Sequence, residues 1–206
     1  MQNTSAPLPA NSFSVNNYEY IIASLPVLQA DYRGPLDAAV LLEEIREQLS
    51  GADAAALQFV LDGWTAECLT EEFYEKAAKS RSSFIKGYFL YDLQLRNAKV
   101  AWLNKVLGRP EDQDLLPCPD EDFEDAARVA EVLSGTDILA RERGLDALLW
   151  ERIDSLTVMH VFDLDLILGF AARLQIVNRW LRLDEATGRE LFEKMVRDIK
   201  ANYTLE

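Results

Sequence analysis

The chain has 206 residues, and its 49% of hydrophobic residues is enough to form a substantial core. Its formal net charge of -14 argues against nucleic-acid binding, because phosphate recognition requires an excess of lysine and arginine. Such acidity suits solubility, or contact with a basic partner surface.

The two cysteines, Cys68 and Cys118, have neither the paired spacing of a zinc site nor the density of a disulfide scaffold, which indicates a reducing compartment such as the cytosol. No run of about eighteen apolar residues occurs, and the start lacks the features of a signal peptide. Residues 1–17 are predicted to form a flexible N-terminal segment. Residues 18–206 are predicted to form a single all-helical domain, with 18–110 and 119–206 as candidate sub-modules.

The first part of this domain contains short helical patterns. YEYIIASL at 18–25 is compatible with a strand or a short helix, and we prefer a helix because the following segments are helical. Residues 36–49 form a predicted helix with Leu41, Leu42, Ile45 and Leu49 on one side. Residues 52–61 form a short alanine-rich helix that Gly63 ends.

One long helix is predicted from about residue 70 to residue 107. Thr70 and the following acidic pair suit its N-terminus, and no proline occurs before Pro110. Apolar residues recur at intervals of three and four, as in a helix that packs in a bundle: Phe73, Ala77, Phe84, Tyr91, Leu95, Ala98 and Trp102. The KSRSS segment at 79–83 and Gly87 are the expected bending points.

An acidic, proline-containing loop follows at 111–125. It lacks the alternating spacing with a central glycine that wraps a calcium ion, so a solvated loop is the simpler interpretation. The next helix is predicted with Asp120 as its cap and with these residues facing inward: Phe123, Ala127, Ala130 and Leu133. A further helix is predicted at 138–153.

The segment at 163–182 is predicted to be the central helix, with roughly half of its surface buried. Asp163 is placed to cap it. Its inward residues lie on one line: Ile167, Phe170, Leu174, Val177 and Leu181. Arg173 falls inside this apolar arc, so a carboxylate or a contact with another chain is expected beside it.

A last helix is predicted after Asp184, and its inward residues are Leu191, Phe192, Met195, Val196 and Ile199. Period-two alternation does not extend over any long segment, and hairpin turns do not precede strand patterns. The predicted fold class is therefore all-α, a multi-helix bundle.

Residues with catalytic potential are sparse. The single histidine, His160, has no second histidine or cysteine nearby in sequence, so a half-buried, hydrogen-bonded side chain is the simpler interpretation. Neither cysteine lies in a setting that lowers a thiol pKa, which disfavours a Cys–His nucleophile. Phosphate-binding glycine loops and the G-x-S-x-G motif are also missing. We predict no catalytic residue, no cofactor and no metal site.

Three stretches occur in a recognisable order: YEYIIASLPVL at 18–28, YDLQLRNAKVAWLNKVLGRP at 91–110 and FDLDLILGFAARLQIVNRWL at 162–181. Together they resemble the C-type subunit of V-type and archaeal-type rotary ATPases, which is the d-type subunit of vacuolar enzymes, and most closely a small bacterial branch. Phe170 stands where that family tends to have tyrosine, and Gln175 where it tends to have glutamate. The chain is also shorter than the usual three-module subunit.

The resemblance implies a funnel-like helical body, truncated relative to the family, that receives the central shaft and sits on the membrane ring of proteolipid subunits. It implies a non-catalytic spacer in an ion-transporting, for example proton-transporting, ATPase. The spacer would lie on the cytoplasmic face of the inner membrane, held there through these partners and without nucleic acid.

Four polar residues are candidates for partner contact or for pinning the framework: Asp92, Arg96, Arg173 and Arg179. Asp92 and Arg96 are spaced for an i,i+4 ion pair. The alternative function is a stand-alone acidic helical module for protein–protein interaction or regulation.

Overall fold

The computed structural model describes residues 18–119 and 123–183, and within these ranges it contains eight α-helices and no β-strand. The predicted all-α bundle is therefore confirmed. The helices are α1 (Glu19–Ser24), α2 (Ala38–Gln48), α3 (Gly51–Asp62), α4 (Glu71–Ala78), α5 (Ser83–Leu107), α6 (Ala126–Ser134), α7 (Ile138–Thr157) and α8 (Leu164–Arg182). The N-terminal segment 1–17, the predicted cap Asp120 and the predicted last helix from Asp184 lie outside the described residues.

The single long helix predicted at about 70–107 is two helices. α4 ends at Ala78, and α5 begins at Ser83. The hydroxyl oxygen of Ser82 accepts a hydrogen bond from the amide of Ile85 at 3.0 Å, and so caps α5. Serine side chains compete for backbone hydrogen bonds and favour helix starts, which explains a break at this position. Gly87, the other expected bending point, stays inside α5.

α8 is the centre of the bundle. It contacts α2, α3, α5 and α7. Four of its five predicted inward residues are buried, namely Ile167, Phe170, Leu174 and Val177, and Leu181 is half-buried. Leu168, Ala171 and Ala172 on other sides of the helix are fully buried as well. More of the surface of α8 is therefore buried than the predicted half. Small side chains allow neighbouring helices to pack on several sides of α8 at once.

Two glycines let α7 approach its neighbours closely. A Cβ atom on Gly169 of α8 would lie 2.4 Å from Cγ2 of Thr157, and one on Gly87 of α5 would lie 2.5 Å from Cδ2 of Leu156. Both contacts involve the last turn of α7. The C-terminal end of α7 is thus held between the backbones of α5 and α8.

A buried carboxylate joins the starts of α5 and α8. Asp165, which is 9% exposed, accepts hydrogen bonds from the hydroxyl groups of Ser82 and Ser83, each at 2.6 Å. It also accepts one from the amide of Phe84 at 3.1 Å. The N-terminus of a helix carries free N–H groups and favours negative charge, so the α5 terminus stabilises this buried aspartate.

The inward face predicted for the helix after the acidic loop is partly wrong. Leu133 is buried, and Phe123 is half-buried, but Ala127 and Ala130 are exposed. Val129 is buried instead. Burying valine and leucine removes more apolar surface from water than burying alanine, so this face of α6 is the favourable one.

Gly108 provides a test of the backbone at the end of α5. It adopts a left-handed conformation, with φ of 65°. We expect Gly108→Ala to lower the free energy of unfolding by about 1 kcal/mol, because a Cβ atom is strained in this region. Urea denaturation followed by circular dichroism measures the change.

Gly51, at the start of α3, is the matched control. A Cβ atom there would meet nothing within 4 Å, and its φ is not positive. Gly51→Ala is expected to raise the free energy of unfolding by about 0.5 kcal/mol, because alanine reduces the freedom of the unfolded chain. Equal changes in the two variants would contradict the left-handed assignment of Gly108.

Candidate functional site

A cavity of about 510 Å³ lies between the C-terminal half of α5 and the N-terminal half of α7. This volume falls in the range of roughly 300–1,000 Å³ that is typical of small-molecule pockets. Its walls are largely apolar, and they include Leu69, Leu95, Val100, Leu133, Leu145 and Leu149. The cavity is therefore the principal candidate site in the described part of the chain.

Charged side chains also line this cavity. The cationic ones are Arg96, Lys99, Arg141 and Arg179, and the acidic ones are Asp92, Glu142 and Asp146. Three of the four residues singled out from the sequence, Asp92, Arg96 and Arg179, thus come together here. The positive groups outnumber the negative ones, although the whole chain carries a net charge of -14.

Asp92 does not form the predicted ion pair with Arg96. Its carboxylate instead accepts a hydrogen bond of 2.7 Å from the hydroxyl of Tyr74, which lies on α4. Burial raises the pKa of Asp92, and the Tyr74 hydrogen bond and the charges of Arg96 and Lys99 partly offset this effect. Arg96 therefore influences Asp92 through space, without direct contact.

Two arginines of the cavity have no carboxylate partner among the described residues. Arg96 forms no hydrogen bond or ion pair within these ranges, and its Nη1 atom is buried. The guanidinium of Arg141 lies 5.1 Å from the ring centroid of Trp102, and its buried Nε has no acceptor. The excess positive charge of the cavity resides on these two groups.

The remaining charges pair with one another. Asp146, only 8% exposed, accepts hydrogen bonds from the guanidinium of Arg179 and, at 2.7 Å, from the indole N–H of Trp180. Burial raises the pKa of Asp146, and the charge of Arg179 opposes that effect. Glu142 lies 3.4 Å from Lys99 and 3.7 Å from Arg179. These contacts connect α7 to both α5 and α8.

Arg173 lies away from the cavity. Its guanidinium donates hydrogen bonds to the carboxylate of Asp154 and, at 3.1 Å, to the hydroxyl of Thr157. The carboxylate expected beside this arginine is therefore Asp154, on α7. Arg173 links α8 to α7 within one chain.

His160 belongs to a capping cluster at the start of α8. Its Nδ1 lies 2.6 Å from Asp163 and its Nε2 lies 3.8 Å from Asp165. Asp163 also caps α8 by accepting a hydrogen bond from the amide of Leu166 at 3.2 Å. The half-buried, hydrogen-bonded state expected for His160 is confirmed.

The hydroxyl groups of Ser82 and Ser83 point to Asp165, and neither serine is paired with the imidazole of His160. This arrangement holds the starts of α5 and α8 together. Among the described residues, no group of His, Cys, Asp and Glu is arranged to hold a metal ion.

Sequence reasoning missed Arg141, Asp146, Tyr74 and Asp165. Trp102 fits the apolar core pattern in the sequence, but it lines the cavity. A signal for part of the site is present in the spacing, because Asp92, Arg96 and Lys99 recur along one face of α5, and Glu142 and Asp146 are four residues apart on α7. That the two faces would meet is not evident from the sequence.

Replacing Asp92 with asparagine tests its environment. The amide oxygen can still accept the Tyr74 hydrogen bond, but the side chain no longer ionises. A raised pKa in the folded state means that ionisation of Asp92 costs stability as pH rises above the ordinary aspartate pKa. We therefore expect Asp92→Asn to gain stability relative to the wild type between about pH 4 and pH 7.

Urea denaturation across this pH range measures the free energy of unfolding of both proteins. The difference between the two values cancels the contribution of Asp146 and of other titrating groups that both proteins contain. A variant that loses stability relative to the wild type as the pH rises would contradict the assigned environment of Asp92.

Replacing Arg173 tests the link between α7 and α8. Arg173→Ala is expected to lower the free energy of unfolding by about 1–2 kcal/mol. The substitution removes the charge-assisted hydrogen bond to Asp154 and the hydrogen bond to the hydroxyl of Thr157. The control is Lys76→Ala, which removes an exposed i,i+4 pair with Glu72. That variant should change stability by less than about 0.5 kcal/mol. Similar losses in both variants would show that Arg173 does not stabilise the interface.

Comparison with known proteins gives a match in the C-terminal region. The model of a family described as "Protein of unknown function (DUF2764)" matches residues 116–203. This region contains α6, α7 and α8, and it supplies Arg141, Glu142, Asp146 and Arg179 of the cavity. No curated protein and no solved structure matches the chain. Over this region the chain is similar to a family whose description states no activity.

Proposed function

We propose that the chain is a non-catalytic component of a V-type rotary ATPase, similar to the C-type subunit, and that it is a spacer that couples the central shaft to the membrane proteolipid ring. The observation that carries this proposal is an internally braced helix bundle with exposed apolar surface at both of its ends. In this function the chain is held at the cytoplasmic face of the inner membrane through its partner subunits.

The first apolar surface is the connection between α7 and α8, here called the end patch: Val158, Met159, Val161 and Phe162. All four side chains are exposed, and Met159 is 86% exposed. Phe162 adopts a φ of 57°, which is strained for an aromatic residue. The amide of Tyr18 donates to the carbonyl oxygen of Phe162 at 2.8 Å and helps hold this conformation. Strained backbone conformations and exposed apolar side chains both often occur at contact sites.

The second apolar surface adjoins the cavity, which two of its residues line, and it is here called the rim patch: Leu103, Val106, Leu107, Ile138 and Leu139. These exposed residues come from the last turns of α5 and the first turn of α7. The 20 residues of α7 extend about 30 Å, so the end patch and the rim patch are far enough apart to contact different partners.

The body between the patches is braced across helices. Asp165 fixes the start of α8 to the start of α5, and Arg173 and Arg179 fix α8 to α7. Partly buried, hydrogen-bonded pairs resist relative movement of the helices that they join. This bracing suits a part that transmits force between two partners.

The stretches that resemble the C-type subunit also lie together in the bundle. The second, 91–110, covers most of α5, the third, 162–181, covers most of α8, and the two helices are in contact. The first stretch begins at Tyr18, whose amide binds Phe162 at the start of the third. Their proximity supports one continuous body that carries the resemblance.

A stand-alone interaction module or regulator is the second candidate. It is favoured by the same exposed apolar residues, since either patch alone could bind a single partner protein. The two functions differ in whether shaft and ring subunits accompany the chain.

Affinity purification of the tagged, full-length chain from its own cells, in mild detergent, tests the proposal. Shaft and proteolipid-ring subunits of a rotary ATPase are expected in the purified complex. The double substitution Met159→Asp and Val161→Asp places two charges on the end patch and should reduce their recovery at least tenfold. The control Val40→Asp places a charge on an apolar residue of α2 that is 53% exposed, and it should leave recovery unchanged.

Recovery of the chain without any shaft or ring subunit would reject the spacer function and favour the stand-alone module. Unchanged recovery with the end-patch variant would reject this patch as the contact surface.

A further inference from the structure

We infer that the cavity between α5 and α7 is a binding site for a small molecule with an apolar body and a single carboxylate. This inference concerns the cavity alone and does not depend on the spacer function. It follows from the balance of charges inside the cavity, from the apolar character of its walls and from its size.

The charges leave room for one anion. Lys99 lies beside Glu142, and Arg179 binds Asp146, so these four charges are compensated. Asp92 accepts a hydrogen bond from the neutral hydroxyl of Tyr74, which does not cancel a carboxylate charge, so the four cations and three carboxylates of the cavity leave an excess of one positive charge. Arg96 and Arg141 remain without a carboxylate among the residues that the structure describes. A guanidinium that is partly removed from water and lacks a counter-charge is costly, and a bound anion would remove that cost.

The same charges exclude other ligand classes. A cation would meet the two unpaired guanidinium groups and is disfavoured. A dianion such as a phosphate monoester would meet three carboxylates in the same cavity, those of Asp92, Glu142 and Asp146, and repulsion would oppose it. A carboxylate carries one negative charge and matches the planar, bidentate geometry of a guanidinium.

The rest of the ligand must be apolar. Leucine side chains of α5, α6 and α7 form much of the wall, and Trp64 and Trp102 add aromatic surface. The guanidinium of Arg141 also lies over the ring of Trp102, and this contact restricts the orientation of the guanidinium without neutralising its charge. Pockets of this composition bury the apolar body of a ligand and orient it through a few polar groups.

The exposed rim patch gives such a ligand an entrance. Leu103 and Ile138 belong both to the rim patch and to the cavity lining, and both are exposed. The cavity therefore reaches solvent beside these two apolar side chains. The end patch lies at the other end of α7 and is not part of this entrance.

Two fluorescent probes of nearly the same shape test the inference. 1-Anilinonaphthalene-8-sulfonate has an apolar body and one negative charge, and N-phenyl-1-naphthylamine has the same body without the charge. The full-length protein is titrated with each probe at pH 7.5. We expect saturable binding of the anionic probe, and displacement of that probe by decanoate but not by decanol.

Substitutions of the two unpaired arginines separate charge from apolar burial. Arg96→Met and Arg141→Met keep an apolar stem, so each should weaken binding of the anionic probe about tenfold and change binding of the neutral probe less than twofold. The matched control is Arg152→Met. Arg152 also has a buried Nε without an acceptor and lies 5.6 Å from the ring of Tyr91, but it does not line the cavity.

Leu145→Phe narrows the cavity without altering charge and should weaken binding of both probes, whereas Met159→Asp in the end patch should affect neither. Circular dichroism confirms that each variant folds. If Leu145→Phe fails to fold, the arginine series still decides the outcome. Absence of saturable binding would overturn the inference. Equal binding of the anionic probe by wild type, Arg96→Met and Arg141→Met would also overturn it, as would displacement by decanol alone.

Discussion

The carboxylate of Asp165 is the interaction on which the arrangement of the helices depends. It is buried at the start of α8, the helix that contacts most of the others, and its acceptor atoms are satisfied by Ser82, Ser83 and the amide of Phe84. A buried aspartate without these donors would cost several kcal/mol. The break between α4 and α5 is therefore required by the core, since an uninterrupted helix would have no free N-terminus to offer this carboxylate.

The parts of the fold that depend on neighbouring residues were predictable from the sequence. The capping positions at Thr70 and Asp163 follow from side chains that bond within three residues, and the end of α5 at Gly108 follows from backbone conformation. The division of the 70–107 segment was only partly predictable. Serines suggested a weak point, but a carboxylate more than 80 residues away fixes the helix start there.

The candidate site shows the same limit. Asp92 and Arg96 were identified by their i,i+4 spacing, and Arg179 as a polar residue of the central helix, and all three line the cavity. Their partners were not identified, because contacts between helices are not encoded in local spacing. Tyr74 engages Asp92 from another helix, so the local pairing with Arg96 does not form. Asp146 was not identified, because in the sequence it resembles an exposed charged residue. In the structure it is buried and accepts hydrogen bonds from Arg179 and Trp180.

The two glycines that face the last turn of α7 leave it no room for a larger neighbour. Thr157 packs against the backbone of α8 at Gly169, and Leu156 packs against the backbone of α5 at Gly87. A Cβ atom at Gly169 would lie 2.4 Å from Thr157, and one at Gly87 would lie 2.5 Å from Leu156, so any side chain at these positions would require its neighbour to move. Glycine at both positions is therefore a steric requirement of the close contact of α7 with α5 and α8, and not a source of flexibility in those two helices.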